Sequence, residues 1–363
     1  MIALALAAVA GSAAAQTNVT VYGVVDLGQA FVKSSGNAAA TPSNNQSTVG
    51  RLDSNSSYIG FKGVEDLGNG LKAVFQIEST VAPDNTGAID NNRDSFVGLT
   101  GGFGTAVAGT LTHPLRAFGA KVELAPAAAG FGTTASLTGA IKGVKSGADD
   151  RAKNAVAYVS PSFGGFTGTV AYVNGETQKN GADQAEARSF QVAGQYDNGP
   201  LFVGAGYHKA VNSSAAGTLG NDNADARVYR LAAVYTLPTA TKLTALYDNT
   251  KADTDVAGGY LKRNAFSLGV AQSFGKNTVG LEYAKAAKTK TEAGEVANSG
   301  ASLWTAVYTY ELSKRTIVHA RYSHLANKDG VNYAFYNNPV NNGTTNGNGA
   351  DYTGYMVGLR HSF

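Results

Sequence analysis

Short runs of alternating apolar and polar residues recur along this chain from Asn18 to its end. Val19, Val21, Gly23, Val25 and Leu27 share one face of an extended strand, with Thr20, Tyr22, Val24 and Asp26 on the other. Leu71, Ala73, Phe75 and Ile77 alternate with Lys72, Val74, Gln76 and Glu78. At the end, Tyr355, Val357, Leu359, His361 and Phe363 alternate with Met356, Gly358, Arg360 and Ser362. A period of two with one apolar face predicts β-strands rather than helices.

The connections are of two kinds, and they take turns. Tight turns rich in Gly, Asn and Pro fall at Glu65 to Gly70, Gly101 to Gly104, Pro161 to Gly165, Asp197 to Pro200, Leu237 to Ala240, Phe274 to Lys276 and Leu312 to Lys314. These residue types supply the backbone angles of hairpin turns. Long polar loops run near 33–49, 81–91, 113–150, 174–186, 210–225, 250–261, 287–300 and 326–349. Seven turns and eight loops separate sixteen strands. A strand that crosses a bilayer needs about 9–11 residues. An up-and-down sheet of this size leaves two bare edges unless it closes on itself. Closure also satisfies every backbone group without water, as a bilayer requires. The expected fold is therefore all-β: a closed antiparallel transmembrane β-barrel of about 16 strands, with turns at one rim and loops at the other.

Composition narrows the picture further. Glycine appears 45 times in 363 residues, and Tyr and Phe together supply 33, which disfavours helix and favours strand. There is no cysteine, so neither a disulfide scaffold nor a thiolate metal site is available. The net charge of +3 is too small to point to nucleic acid. Ile2 to Gly11 is apolar and is followed by Ser12-Ala13-Ala14-Ala15, the pattern of a secretory signal peptide over residues 1–15. Residues 16–363 then form a single domain.

The apolar face is assigned to lipid, because the opposite face is too polar for hydrocarbon. Lys62, Lys72, Gln76, Glu78 and Arg360 would line the lumen. Sixteen strands enclose an aqueous channel, where eight would be filled by side chains. Tyr22, Phe61, Tyr158, Tyr172, Tyr235, Tyr247, Tyr308 and Tyr310 fit an aromatic girdle at the membrane interfaces.

Five ordered segments carry a resemblance: Val21 to Asp26, Ile59 to Ala73, Arg93 to Leu99, Tyr158 to Phe166, and Val357 to Phe363. On these the chain resembles the Gram-negative general porins, in their beta-proteobacterial branch. The resemblance implies a homotrimer in the cell outer membrane whose barrels pass small hydrophilic solutes and ions by passive diffusion, without a cofactor. It implies that Phe363 signals outer-membrane assembly. It also implies that the long third loop, 113–150, folds into the barrel and narrows it. That loop carries Arg116, Lys121, Glu123, Lys142, Lys145, Asp149 and Asp150. In the family, arginines of the second, fourth and sixth strands face it. Arg93 and Arg151 match the latter two, with Lys153 expected on the face of Arg151, and Tyr58 stands where the first arginine is usual.

Rings of Arg and Lys favour anions, so Arg93, Arg151, Lys62 and Lys72 imply mild anion preference. The alternative is a channel selective for small anionic solutes or sugars, for which Tyr58, Phe118 and Phe131 would form an aromatic slide. An outer-membrane enzyme needs a nucleophile and a base in hydrogen-bond reach, and none of the five histidines sits in such a motif. His319 and His324 fall on opposite faces of a strand and share no metal.

Overall fold

A computed structural model of the chain describes residues 18–36, 45–85, 89–90, 93–126, 130–175, 188–211, 225–254, 259–340 and 347–363. The expected leader, residues 1–15, lies outside the described residues. Sixteen long strands form the wall. They are β1 Asn18–Ser35, β2 Tyr58–Gly68, β3 Leu71–Val81, β4 Ser95–Gly101, β5 Gly104–Thr112, β6 Arg151–Val159, β7 Phe166–Val173 and β8 Arg188–Asn198, followed by β9 Leu201–Val211, β10 Ala226–Thr236, β11 Thr241–Asp253, β12 Tyr260–Phe274, β13 Asn277–Ala286, β14 Ala301–Ser313, β15 Thr316–Asn327 and β16 Asp351–Ser362.

Each strand pairs antiparallel with the next, and the ring closes where β1 pairs β16 from Val24↔Ser362 to Ser35↔Asp351. The other edge of β1 pairs β2 from Asn18↔Val64 to Val24↔Tyr58, then the short strand Val49–Ser54 of the first loop. The chain end is tied into this seam. Phe363 N–H donates to the Gly23 carbonyl and Gly23 N–H to the Phe363 carbonyl, both at 3.1 Å. The sequence-level alternation of short and long connections is realised throughout, although β11 and β12 run on until only residues 254–259 join them.

The outer face is apolar. Val97, Leu268 and Val357 are 63%, 57% and 61% exposed and point away from the lumen, as do Phe61, Tyr158, Tyr172, Tyr235, Tyr247, Tyr308 and Tyr310. Tyr22 departs from the expected girdle: it points inward and donates its hydroxyl to Glu78 Oε1 at 2.7 Å. The inner face is mixed rather than uniformly polar. Val74, Phe96, Val107, Ala155 and Ala157 form one inward apolar patch. Two further clusters form where loops settle on the inner wall, one around Phe118 and Val122 and a larger one around Phe131, Leu137 and Phe335.

Leu268→Arg, on the lipid face, is expected to destabilise the barrel by about 2–4 kcal/mol at the bilayer midplane. Gln76→Arg, on the lumen face, is expected to leave assembly intact. The heat-dependent shift of the folded barrel on a denaturing gel reads both; equal loss in the two variants would reverse the assignment of faces.

Candidate functional site

The third long loop enters the barrel at once. His113 follows β5 and takes the N-cap position of helix α1, Pro114–Val122, which begins with proline in its first turn, where the missing N–H costs nothing. The helix buries Leu115, Phe118 and Val122 against β8 to β11. Phe118 meets the Phe202 ring edge-on at 5.8 Å and lies over Gly204, where a Cβ would come within 3.0 Å of its ring. Phe131 lies over Gly354 in the same way and stacks on Phe335 at 5.4 Å. Phe118 and Phe131 are thus anchors of the loop on the wall, not members of an aromatic slide.

Charged groups of the wall fasten the same loop. Arg230 on β10 is fully buried and binds both oxygens of Asp149, at 2.5 and 2.9 Å. It also binds Asp248 of β11 at 2.9 Å and donates to the Leu115 carbonyl at 2.8 Å. Asp248, 0% exposed, takes Arg263 of β12 at 3.2 Å. Arg321 of β15 donates to the Phe131 carbonyl at 2.6 Å. Lys242 of β11 reaches the Lys121 and Glu123 carbonyls, both at 3.2 Å, at the C-terminal end of α1. There a cation also meets the negative end of the helix dipole.

The loop crosses the lumen and leaves beside it a cavity of about 310 Å³. Arg93, Arg116, Lys121, Glu123, Asp149, Arg151 and Tyr336 line it. The structure therefore brings together four of the expected site residues: Arg93, Arg116, Glu123 and Arg151. Arg93 binds Glu78 at 3.1 Å and lies 4.2 Å over the Tyr58 ring, so Tyr58 serves as a platform for this guanidinium. Arg151 binds Asp94 at 3.1 Å, and Thr112 donates to the same carboxylate at 2.7 Å. Arg116 donates to the Asp149 carbonyl and to the Tyr336 hydroxyl, and so meets a carbonyl and a phenol rather than a carboxylate.

Three expected residues stand elsewhere. Lys62 faces the lumen but lies over Tyr22, at 4.9 Å from its ring. Lys72 is exposed next to the tight turn between β2 and β3. Lys153 is exposed and lines no part of the cavity, because a bulge between Ala152 and Ala155 interrupts the alternation there. Asn154 takes φ 53 at this bulge, and one extra residue re-aims every side chain next to it. Sequence reasoning also missed Arg230, Asp248, Arg263, Arg321 and Tyr336. The strand residues among them sit at inward positions of their alternation, which was the available signal. His319 and His324 do fall on opposite faces: His319 binds Asp26 at 2.9 Å and His324 binds Thr353 at 3.0 Å. Among the described residues, no group of three or more His, Asp or Glu is placed to hold a metal ion.

The loop's own ionisable groups feel their burial. Burial pushes the Glu123 carboxyl up to about 7, against hydrogen bonds from Thr134 and the field of Arg321. Burial pushes Lys145 down to about 8, with Asp149 opposing. Burial would raise Asp149 too, but the Arg230 guanidinium overrides it and holds this carboxyl at about 2. Asp149 is thus a fixed anion, committed to the wall, while Glu123 titrates near neutrality.

The family model described as Gram-negative porin matches residues 3–330. The chain is 33% identical to outer membrane porin protein 32 of Delftia acidovorans over 369 residues, covering 100% of this chain and 99% of that protein. Among solved structures it is similar to the anion-selective porin from Comamonas acidovorans, with a TM-score of 0.72 and 29% identity, over 96% of this chain and 100% of that one. The fold also matches the trimer form of OmpT, an outer membrane protein of Vibrio cholerae, with a TM-score of 0.65 at 16% identity, over 96% and 99% of the two chains.

Removing Asp149 leaves Arg230 and Arg263 to share the single carboxylate of Asp248, one buried positive charge in excess. Asp149→Ala is therefore expected to loosen residues 113–150 and make them accessible to added protease in detergent, while the barrel itself stays protected. An unchanged cleavage pattern would show that the apolar anchors hold the loop unaided.

Proposed function

Because this chain belongs to the Gram-negative porin family, we propose that the passage beside its third loop conducts small anions in preference to cations. The protein is an outer-membrane barrel that forms a water-filled channel for passive diffusion of small hydrophilic solutes. The relatives are channels rather than enzymes, and we read this chain likewise as a pore without catalytic work.

One observation carries the anion preference. Three guanidinium groups, Arg93, Arg116 and Arg151, converge on one cavity, and Arg116 has a carbonyl and a phenol where a carboxylate would cancel its charge. Arginine keeps its charge at any working pH. A narrow aqueous slot between low-dielectric walls concentrates the field of such groups. Glu78 and Asp94 each offset one arginine, Arg93 and Arg151, and leave Arg116 without a carboxylate of its own. Asp149 is bound by Arg230, and Glu123 carries only part of its charge near pH 7 because burial holds its carboxyl at about 7. The similar porin from Comamonas acidovorans is anion-selective, which agrees with this reading. Trimer assembly is proposed on the precedent of the Vibrio protein's trimer form, and cross-linking in intact outer membranes should yield a ladder ending at three copies.

In a planar bilayer with a potassium chloride gradient, the zero-current potential should have the sign set by chloride. Arg116→Ala should move it toward zero. Glu123 loses its proton as pH rises through about 7, adding negative charge to the passage, so anion preference should fall with rising pH across that range. Glu123→Gln should abolish the step near 7 and leave only the later loss of positive charge as Lys145 deprotonates near 8. A potential of the cation sign, or a step near 7 that survives in Glu123→Gln, would refute the assignment.

A further inference from the structure

Residues 331–340 of the last long loop, between β15 and β16, also turn inward. Val331, Tyr333, Phe335 and Val340 are buried in one cluster with Phe131 and Leu137 of the third loop and Leu303 and Leu325 of the wall. Phe335 stacks on Phe131, which directs the next residue, Tyr336, into the cavity. The Tyr336 hydroxyl donates to Asp150 Oδ1 at 2.6 Å, with the Asp149 carbonyl also in reach at 2.9 Å, and accepts from Arg116 Nη1 at 3.1 Å. Lys145 Nζ lies 4.9 Å from the ring centre. The outer side of the loop is held by a different element. Arg51, in the short strand Val49–Ser54, donates to the Asn338 carbonyl at 2.7 Å and the Pro339 carbonyl at 2.6 Å. Arg51 is itself braced by Asp53 at 2.8 Å, and Asn338 Nδ2 donates to the Ser54 carbonyl at 3.1 Å.

We propose that Tyr336 sets the width of the passage and the charge it presents, and that Arg51 is the positioning residue that keeps it there. The ring occupies one side of the cavity. The hydroxyl separates Arg116 from Asp150: it takes the carboxylate as acceptor and the guanidinium as donor, so the two ions do not collapse onto each other. Without the hydroxyl, Arg116 and Asp150 each lose the group that now stands between them, and an Arg116 that pairs with the freed carboxylate no longer adds positive field to the lumen. Width belongs to the ring and charge to the hydroxyl. The width claim rests on the channel itself and not on the sign of its selectivity.

Single-channel recording of Tyr336→Ala, Tyr336→Phe, Arg51→Ala and the double variant Arg51→Ala/Tyr336→Ala separates these roles. Tyr336→Ala should raise conductance and shift the zero-current potential toward zero. Tyr336→Phe should keep the wild-type conductance and show the potential shift alone. Arg51→Ala should raise conductance as Tyr336→Ala does, and the double variant should add nothing further, since both changes empty the same space. All four lie in loops, so the heat-dependent gel shift of the barrel should match wild type. Wild-type conductance in both Tyr336→Ala and Arg51→Ala, with the barrel intact, would overturn the width claim, as would additive increases in the double variant. An unshifted potential in Tyr336→Phe would overturn the charge claim, provided the wild type itself shows a potential. A wild type without one refutes the anion preference and leaves the conductance results decisive for the width.

Discussion

Hydrocarbon offers no hydrogen bonds, so a chain that crosses it must pair every backbone N–H and C=O within itself. That requirement dictates the rest of this molecule. It forces the strands into a ring, and the ring sorts side chains into two environments that alternate residue by residue. Leu268 and Val357 face lipid, while Arg230, Asp248 and Arg321 on neighbouring or facing strands point the other way. With its apolar groups committed to the outside, the barrel has an interior too wide for its own wall to fill. Loops fill part of it instead.

A loop inside an aqueous channel has water as a competitor for each of its polar groups. Residues 113–150 meet that competition with two devices. Aromatic rings sit where the wall has only glycine, Phe118 over Gly204 and Phe131 over Gly354. A buried ionic chain, Asp149–Arg230–Asp248–Arg263, then fixes the return of the loop toward β6. Buried ion pairs seldom add much net stability, since desolvation offsets their attraction. Their value here is geometric: the bidentate Arg230–Asp149 contact fixes position and orientation together, and leaves Arg116 at the edge of the cavity with no carboxylate hydrogen-bonded to it.

Much of this was legible in the sequence, because its source is local. Alternation in β1, β3 and β16 reports two solvents directly, and tight turns announce themselves by Gly, Asn and Pro. Strand number, closure and the inside position of Glu78 and Arg360 follow from these alone, and the resemblance added the inward third loop with Arg93 and Arg151. What failed had a non-local cause. Lys153 was placed by an unbroken period, which a single extra residue at Asn154 cancels. Tyr22 was grouped with interfacial aromatics, although its own parity set it beside Asp26. The pairing of Arg230 with Asp149, or of Tyr336 with Arg116, joins distant parts of the chain, and nothing in the local pattern marks such partners.

The seam of the ring joins the first strand to the last, and the final residue, Phe363, exchanges two hydrogen bonds with Gly23. A polypeptide still being exported therefore holds an open curtain of strands whose leading border has no mate until translocation ends. Contacts this remote along the chain form late and slowly, and an unpaired border invites association with other chains. Keeping the emerging chain apart from its neighbours until its tail arrives is thus a demand that the topology places on the cell, before any solute has crossed.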